Sequence, residues 1–214
     1  MIFDLDGTTI STLEDIQDAV NMTLRENGYP EKERDEVRMA VGNGSRKLIE
    51  RTVPAGLSEE RIQELLKRYV EIYSNNYNIK THAYDGVYDL LRKLQEEGVL
   101  LSINSNKPDH LTKALIEECF PGIIFVGVFG DLKERPKKPN PTIANQLVEM
   151  MGLQKAEVLY IGDSETDIET AKNTGLKSIG CLWGFRDRKT LIETGADYIV
   201  SNPAEILEYL GEQK

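Results

Sequence analysis

The chain has 214 residues, 40% of them apolar and 29% charged, with a formal net charge of −10. That length can bury a proper core, as one domain with a large insertion or as two small domains, while the acidic balance excludes a nucleic-acid surface, which needs clustered Lys and Arg. Cys119 and Cys181 are too few and too far apart for a disulfide framework or a zinc site, and with no apolar run of about 20 residues and no signal-peptide layout the expectation is a reduced, cytoplasmic protein without a membrane partner.

Met1-Ile2-Phe3 and Leu5 are strand formers that run directly into Asp4, Asp6 and Gly7, so a strand empties into an acidic turn. In open α/β sheets ligands bind at the carboxyl ends of strands. Only three residues precede Asp4, which means either a short central strand or a natural start further upstream. Thr8 to Thr12 reads as a polar bridge, and from Leu13 to about Lys80 the pattern is helical. Leu13, Ile16, Val20 and Leu24 recur at helical spacing before Asn27-Gly28 and Pro30. A second helix is expected near Arg46 to Val53, with Ser45 as its cap. A third begins after Ser58, in a capping-box pattern, and lines up Ile62, Leu65, Leu66, Tyr69, Val70 and Tyr73. These residues read as a small all-helical module inserted after the first strand.

From Tyr84 onward helix and strand alternate. The expected helices cover Val87 to Leu94, Leu111 to Cys119, Pro141 to Gly152, Thr166 to Thr174 and Pro203 to Leu210. The expected strands cover Val99 to Ile103, Ile123 to Phe129, Val158 to Ile161, Lys177 to Leu182 and the short Tyr198 to Val200. This order implies right-handed crossovers and a Rossmann-like α/β fold, a mostly parallel sheet with helices on both faces.

Several strand ends carry groups suited to an anion or a cation. Asp4 and Asp6 are close enough to hold a divalent cation and to divide nucleophilic and proton-transfer work; an ordinary solvated acidic turn has the same sequence. Ser105 and Asn106 follow the Val99 to Ile103 strand and offer a hydroxyl and loop amides to an oxyanion. Lys137-Lys138-Pro139 stands just ahead of a helix, where a lysine can offset phosphoryl charge and hold neighbouring carboxylates ionised. Asp163 follows its strand and a glycine much as Asp4 follows its own strand, and Asp167 lies four residues on, where a helix cap is the alternative.

In this order, Asp4-Leu5-Asp6-Gly7-Thr8, Ser105-Asn106-Lys107, Lys138-Pro139 and Gly162-Asp163-Ser164-Glu165-Thr166-Asp167 together resemble the haloacid dehalogenase superfamily. The resemblance spans the chain from Asp4 to Val200. It implies a catalytic core of residues 1–12 and 82–214, with the helical stretch 13–81 as a cap. It makes Asp4 the nucleophile, Asp6 the general acid and base, Ser105 a phosphate ligand and Lys138 the charge-neutralising lysine. Asp4, Asp6 through its backbone carbonyl, Asp163 and Asp167 would hold Mg2+, with Gly7, Thr8 and Asn106 beside the substrate. Lys107 and Lys137 match no motif position and are expected as surface charges.

An aspartate at position 6 resembles phosphatases and phosphomutases rather than dehalogenases or transport ATPases. The phosphoglycolate phosphatase branch is similar at Val41-Gly42-Asn43-Gly44, Lys138-Pro139-Asn140-Pro141 and Gly180 to Phe185. Thr9 stands where an apolar residue is usual, and Ser11-Thr12 where an acidic residue is common. The expected enzyme hydrolyses small phosphate monoesters, with Gly42, Asn43, Gly44 and Arg46 of the cap receiving a second negative group. A phosphomutase, a pyrophosphatase, a nucleotidase or an inactive binding module are the alternatives. Oligomeric state, monomer or homodimer, stays open.

Overall fold

The computed structural model describes residues 1–212 and divides the chain into two compact units, one of Met1–Ile10 with Ala83 onward, the other of Ser11–His82.

In the first unit six strands form one sheet: β1 (Ile2–Phe3), β4 (Leu101–Pro108), β5 (Phe125–Asp131), β6 (Leu159–Gly162), β7 (Lys177–Cys181) and β8 (Tyr198–Val200). Their order is β5-β4-β1-β6-β7-β8, and every neighbouring pair is parallel. Parallel sheets are covered on both faces, which is why Ile2, Phe3, Ile103, Tyr160, Ile161 and Ile179 are all buried. The helices are α5 (Val87–Glu96), α6 (Asp109–Cys119), α7 (Thr142–Met151), α8 (Glu165–Thr174), α9 (Arg188–Thr194) and α10 (Ala204–Glu212). Right-handed crossovers distribute them. The connections through α5 and α6 step toward β5, so those helices share one face, where Tyr88 stacks with Phe120 at 6.5 Å. The connections through α7, α8 and α9 step the other way. On that face Ile143, Leu147 and Val148 of α7 and Ala171 of α8 pack with Ile2 and Tyr160.

β1 lies between β4 and β6, with Phe3 paired to Ile103 on one side and Ile161 on the other. Reading forward from that register brings Asp4, Ser105 and Asp163 to the same end of the sheet. The Asp4 N–H continues the ladder by donating to Ile161 O at 2.9 Å.

The second unit holds α1 (Leu13–Glu26), α2 (Arg34–Ala40), α3 (Ser45–Thr52) and α4 (Glu59–Asn76). Leu13, Ile16, Val20 and Leu24 of α1 and Leu65, Tyr69, Ile72 and Tyr73 of α4 are its buried stripes. Ser58 caps α4 by accepting from the Arg61 N–H. Where the chain passes between the units, β2 (Ile10–Ser11) and β3 (His82–Ala83) pair as a two-stranded ribbon.

Four local expectations need correction. Ser45 is the first residue of α3 rather than its cap; Gly44, at φ 83°, occupies the cap and no side chain does. α2 is an additional helix whose only buried residues are Val37 and Ala40, so its apolar periodicity is too sparse to read, and a Glu33–Glu36 capping box starts it instead. α9 buries only Leu191 and escapes periodicity for the same reason. Finally, the Thr8 to Thr12 bridge contains the short strand β2.

Candidate active site

Past β1 the chain turns sharply. The N–H groups of Thr9 and Ile10 both donate to Leu5 O, and Gly7 N–H donates to Ile10 O. Gly7 sits at φ 89°, and a Cβ there would lie 2.4 Å from Asp163 Oδ2, so both its backbone and its contact exclude a side chain. Thr9, the departure from the usual apolar residue, is fully buried with its hydroxyl directed at Asp4 O and Leu5 O.

β6 delivers Asp163, which is fully buried. Thr8 Oγ1 donates to its Oδ1 at 2.8 Å, and the Phe185 N–H to its Oδ2 at 2.7 Å. Thr8 is itself fixed from beyond β7, because Trp183 Nε1 donates to its carbonyl at 2.9 Å. Asp167, in the first turn of α8, does two jobs. Its Oδ2 receives the N–H and hydroxyl of the cap residue Ser164, and its Oδ1 receives Lys138 Nζ at 2.7 Å. The cap and the site roles are therefore held by one side chain.

Lys138 is buried and bridges two carboxylates, with Nζ 2.7 Å from Asp4 Oδ1 and 2.7 Å from Asp167 Oδ1. Its backbone is gripped by the Asn106 amide, whose Oδ1 accepts the Lys138 N–H at 2.9 Å while Nδ2 donates to the Lys138 carbonyl at 3.2 Å. Ser105 is buried, and its Oγ accepts from the Lys107 N–H at 3.2 Å, leaving the hydroxyl hydrogen to donate elsewhere.

Asp4, Asp163 and Asp167 form a buried triad with one oxygen of each lying within 4.8 Å of the others. Burial raises the Asp4 carboxyl well above its ordinary range, and the Asp167 charge adds to this against the opposing Lys138. Burial and the Asp167 charge push Asp163 up to about 7. For Lys138 burial disfavours the charge, but the Asp167 and Asp4 carboxylates outweigh it and hold the ammonium well above its usual range. Three carboxylates thus stand against one ammonium, which pairs with Asp4 and Asp167, a formal surplus of two negative charges (−3 + 1). No described donor reaches Asp4 Oδ2. A hard divalent cation with oxygen ligands fits this surplus.

Asp6 stands apart from the triad. Its Oδ1 pairs with Lys107 Nζ at 2.9 Å, and the lysine side chain is only 2% exposed. The expectation of a surface charge at Lys107 is therefore overturned, because β4 runs on to Pro108 and carries the lysine inward. Counting by two along a strand from Ile103 reaches Ser105 and then Lys107, a signal that could have found it. Lys137, by contrast, is exposed as expected and pairs with Asp131 at 2.6 Å.

The remaining expected substrate residues belong to the helical unit. Gly42 and Gly44 have φ of 119° and 83°, and Asn43 Oδ1 accepts from Arg51 Nη2 at 2.8 Å. Arg46 is engaged by Glu50 at 2.7 Å and Glu59 at 2.8 Å. Pairs this exposed are weak, so they leave the guanidinium able to exchange partners.

A parallel α/β sheet with an acidic triad, and with a buried lysine between two of its carboxylates, at the carboxyl ends of its central strands is an arrangement that could hold a divalent cation. The chain belongs to the haloacid dehalogenase-like hydrolase family, whose model matches residues 1–181. It is 31% identical over 212 residues to a phosphoglycolate phosphatase of Vibrio parahaemolyticus, covering 96% of this chain and 93% of that one. It is 28% identical to phosphoglycolate phosphatase 1 of Pseudomonas aeruginosa, covering 97% and 78%. The fold matches a solved structure from Lactobacillus delbrueckii subsp. bulgaricus, described as a candidate phosphoglycolate phosphatase, with a TM-score of 0.92 and 29% identity over 97% of this chain and 96% of that one. Among the described residues no helix is long and apolar enough to cross a membrane.

Proposed function

We propose that the chain is a magnesium-dependent phosphatase of small phosphate monoesters that works through an aspartyl phosphate on Asp4, with 2-phosphoglycolate as the favoured substrate. The observation that carries this reading is the state of the Asp4 carboxylate. One oxygen lies 2.7 Å from Lys138 Nζ as an ion pair without hydrogen-bond geometry, and neither oxygen accepts a hydrogen bond from a described residue, at the end of the central strand.

Mg2+ would be held by Asp4, the Asp6 backbone carbonyl and Asp163, with Asp167 behind them, and when bound it supplies positive charge to the phosphate oxygens. Asp4 Oδ2 attacks phosphorus as the ester P–O bond breaks. Asp6 gives its proton to the departing ester oxygen, and later takes one from the water that attacks the aspartyl phosphate, releasing phosphate and restoring Asp4. Lys138 favours the ionised form of Asp4 against the effect of burial and offsets the developing phosphoryl charge. The Ser105 hydroxyl donates to a phosphoryl oxygen, beside Gly7 and Thr8. Asn106 contributes chiefly by fixing Lys138. Ser11–His82 would be the cap of this reading, and the amide groups opening α3, beside Gly42 to Arg46, favour an anion such as the second negative group of the substrate.

Phosphate release from 2-phosphoglycolate, glycerol phosphates, nucleoside monophosphates and pyrophosphate, with and without magnesium, tests the reading. The highest kcat/KM is expected for 2-phosphoglycolate, with turnover dependent on the metal. A preference for nucleotides, pyrophosphate or a sugar phosphate would overturn the substrate while leaving the phosphatase chemistry standing. Metal-independent turnover would overturn the chemistry as well.

A further inference from the structure

Lys107 has no part in the steps above, yet its ammonium lies on the carboxylate that moves the proton. Its backbone is fixed on several sides. Its N–H donates to Ser105 Oγ at 3.2 Å, its carbonyl accepts from Thr112 Oγ1 at 3.3 Å, and Gly130 lies so near that a Cβ there would be 2.7 Å from that carbonyl. The lysine arm therefore starts from a rigid point and reaches Asp6 Oδ1 at 2.9 Å. The Asp6 side chain is 16% exposed, whereas that of Lys107 is 2% exposed. A buried ion pair such as Lys107 with Asp6 is weak support for stability, because the cost of desolvating the charges offsets much of their attraction. The pair is better explained by what it does to Asp6.

We infer that Lys107 is a positioning residue: by holding Oδ1, it turns the Asp6 carboxyl so that Oδ2 is the oxygen that delivers the proton to the leaving group and recovers one from water. No donor among the described residues reaches Oδ2. Oδ1 remains an acceptor whether or not Oδ2 carries the proton, so the grip lasts through the cycle. The inference rests on Asp6 being the acid and base of the proposed phosphatase.

The test compares wild type, Lys107→Met, Asp6→Asn and the double variant, all as full chains with magnesium, on 2-phosphoglycolate and on p-nitrophenyl phosphate. kcat/KM reports the steps through departure of the leaving group, and p-nitrophenolate leaves without needing a proton. Since a displacement of about 1 Å can cost about 10²-fold, Lys107→Met is expected to lose on the order of 10–10²-fold in kcat/KM on 2-phosphoglycolate and less than about threefold on p-nitrophenyl phosphate. In the Asp6→Asn background the lysine change should add no further loss. Lys107→Leu, uncharged and without a donor, should behave alike and replaces the methionine variant if that one does not fold. Equal losses on both esters, or losses that add to those of Asp6→Asn, would make Lys107 a structural lysine and overturn the inference alone. Equal losses on both esters in Asp6→Asn itself would instead remove the acid–base role on which it stands.

Discussion

At Asp4 the requirements of chemistry and of folding pull in opposite directions. The carboxylate must be ionised to attack, yet burial and the Asp167 charge raise its proton affinity, and Lys138 only partly relieves this. Asp4→Asn should therefore have two effects. Turnover should fall by about 10³-fold or more, as for other lost nucleophiles. The metal-free protein should melt at the same temperature as wild type or higher, because one negative charge leaves the crowded triad while Lys138 keeps Asp167. Phosphate release and thermal melts in chelator check both, and a variant retaining a tenth of the wild-type rate would displace Asp4 as nucleophile. The three consecutive residues Ser105, Asn106 and Lys107 show how finely such roles divide. The first has a hydroxyl hydrogen to offer, the second clamps the backbone of Lys138, and the third grips Asp6.

At the scale of elements, the helical unit is tied together by a buried carboxylate near the start of α1. Asp15 receives the N–H groups of Lys80 and Thr81 and the Thr81 hydroxyl, at 2.8 to 3.0 Å. The beginning of the unit is thereby fastened to the segment where the chain leaves it. Asp15→Ala would leave those donors unmatched, and hydrogen bonds to a charged acceptor are worth about 1.5–3 kcal/mol each. The expected result is a loss on the order of 3 kcal/mol, with the amide protons of Lys80 and Thr81 exchanging faster. Unchanged protection at both amides would show that Asp15 does not carry the fastening.

For the whole molecule, the triad links stability to pH and to metal. Asp163 is raised from 3.8 to about 7 and Asp4 moves in the same direction. The folded chain therefore keeps protons that the unfolded chain releases. Metal-free stability should fall as pH rises from the ordinary carboxylate range toward about 7, the raised Asp163 value, and Asp4 extends the decline upward. Added magnesium binds the ionised carboxylates, so the melting temperature it restores should grow over the same range. Melts at about pH 5.5 to 8.5, a span centred on the raised Asp163 carboxyl at about 7, with chelator and with magnesium, measure both. A metal-induced shift that does not change with pH would remove the triad as the binding site.

The sequence by itself determined whatever depends on neighbours along the chain. Alternating apolar runs and amphipathic stretches located the strands and most helices of the α/β unit, because periods of 2 and 3.6 are local properties. The residues at each strand end were legible for the same reason: Asp4 follows β1, Ser105 lies in the later half of β4 and Asp163 follows β6, although the sheet places β1 between β4 and β6. Weakly buried helices such as α2 and α9 left too little apolar signal to see. What only the tertiary structure decided is which of these groups touch. Lys107 meets Asp6 from 101 residues away, Asn106 meets Lys138 from 32, and Thr8 meets Asp163 from 155. A lysine after a strand reads as solvated until the register of β4 against its neighbours carries it inward. Partnership between side chains is set by how strands line up across the sheet, and no window along the chain contains that information.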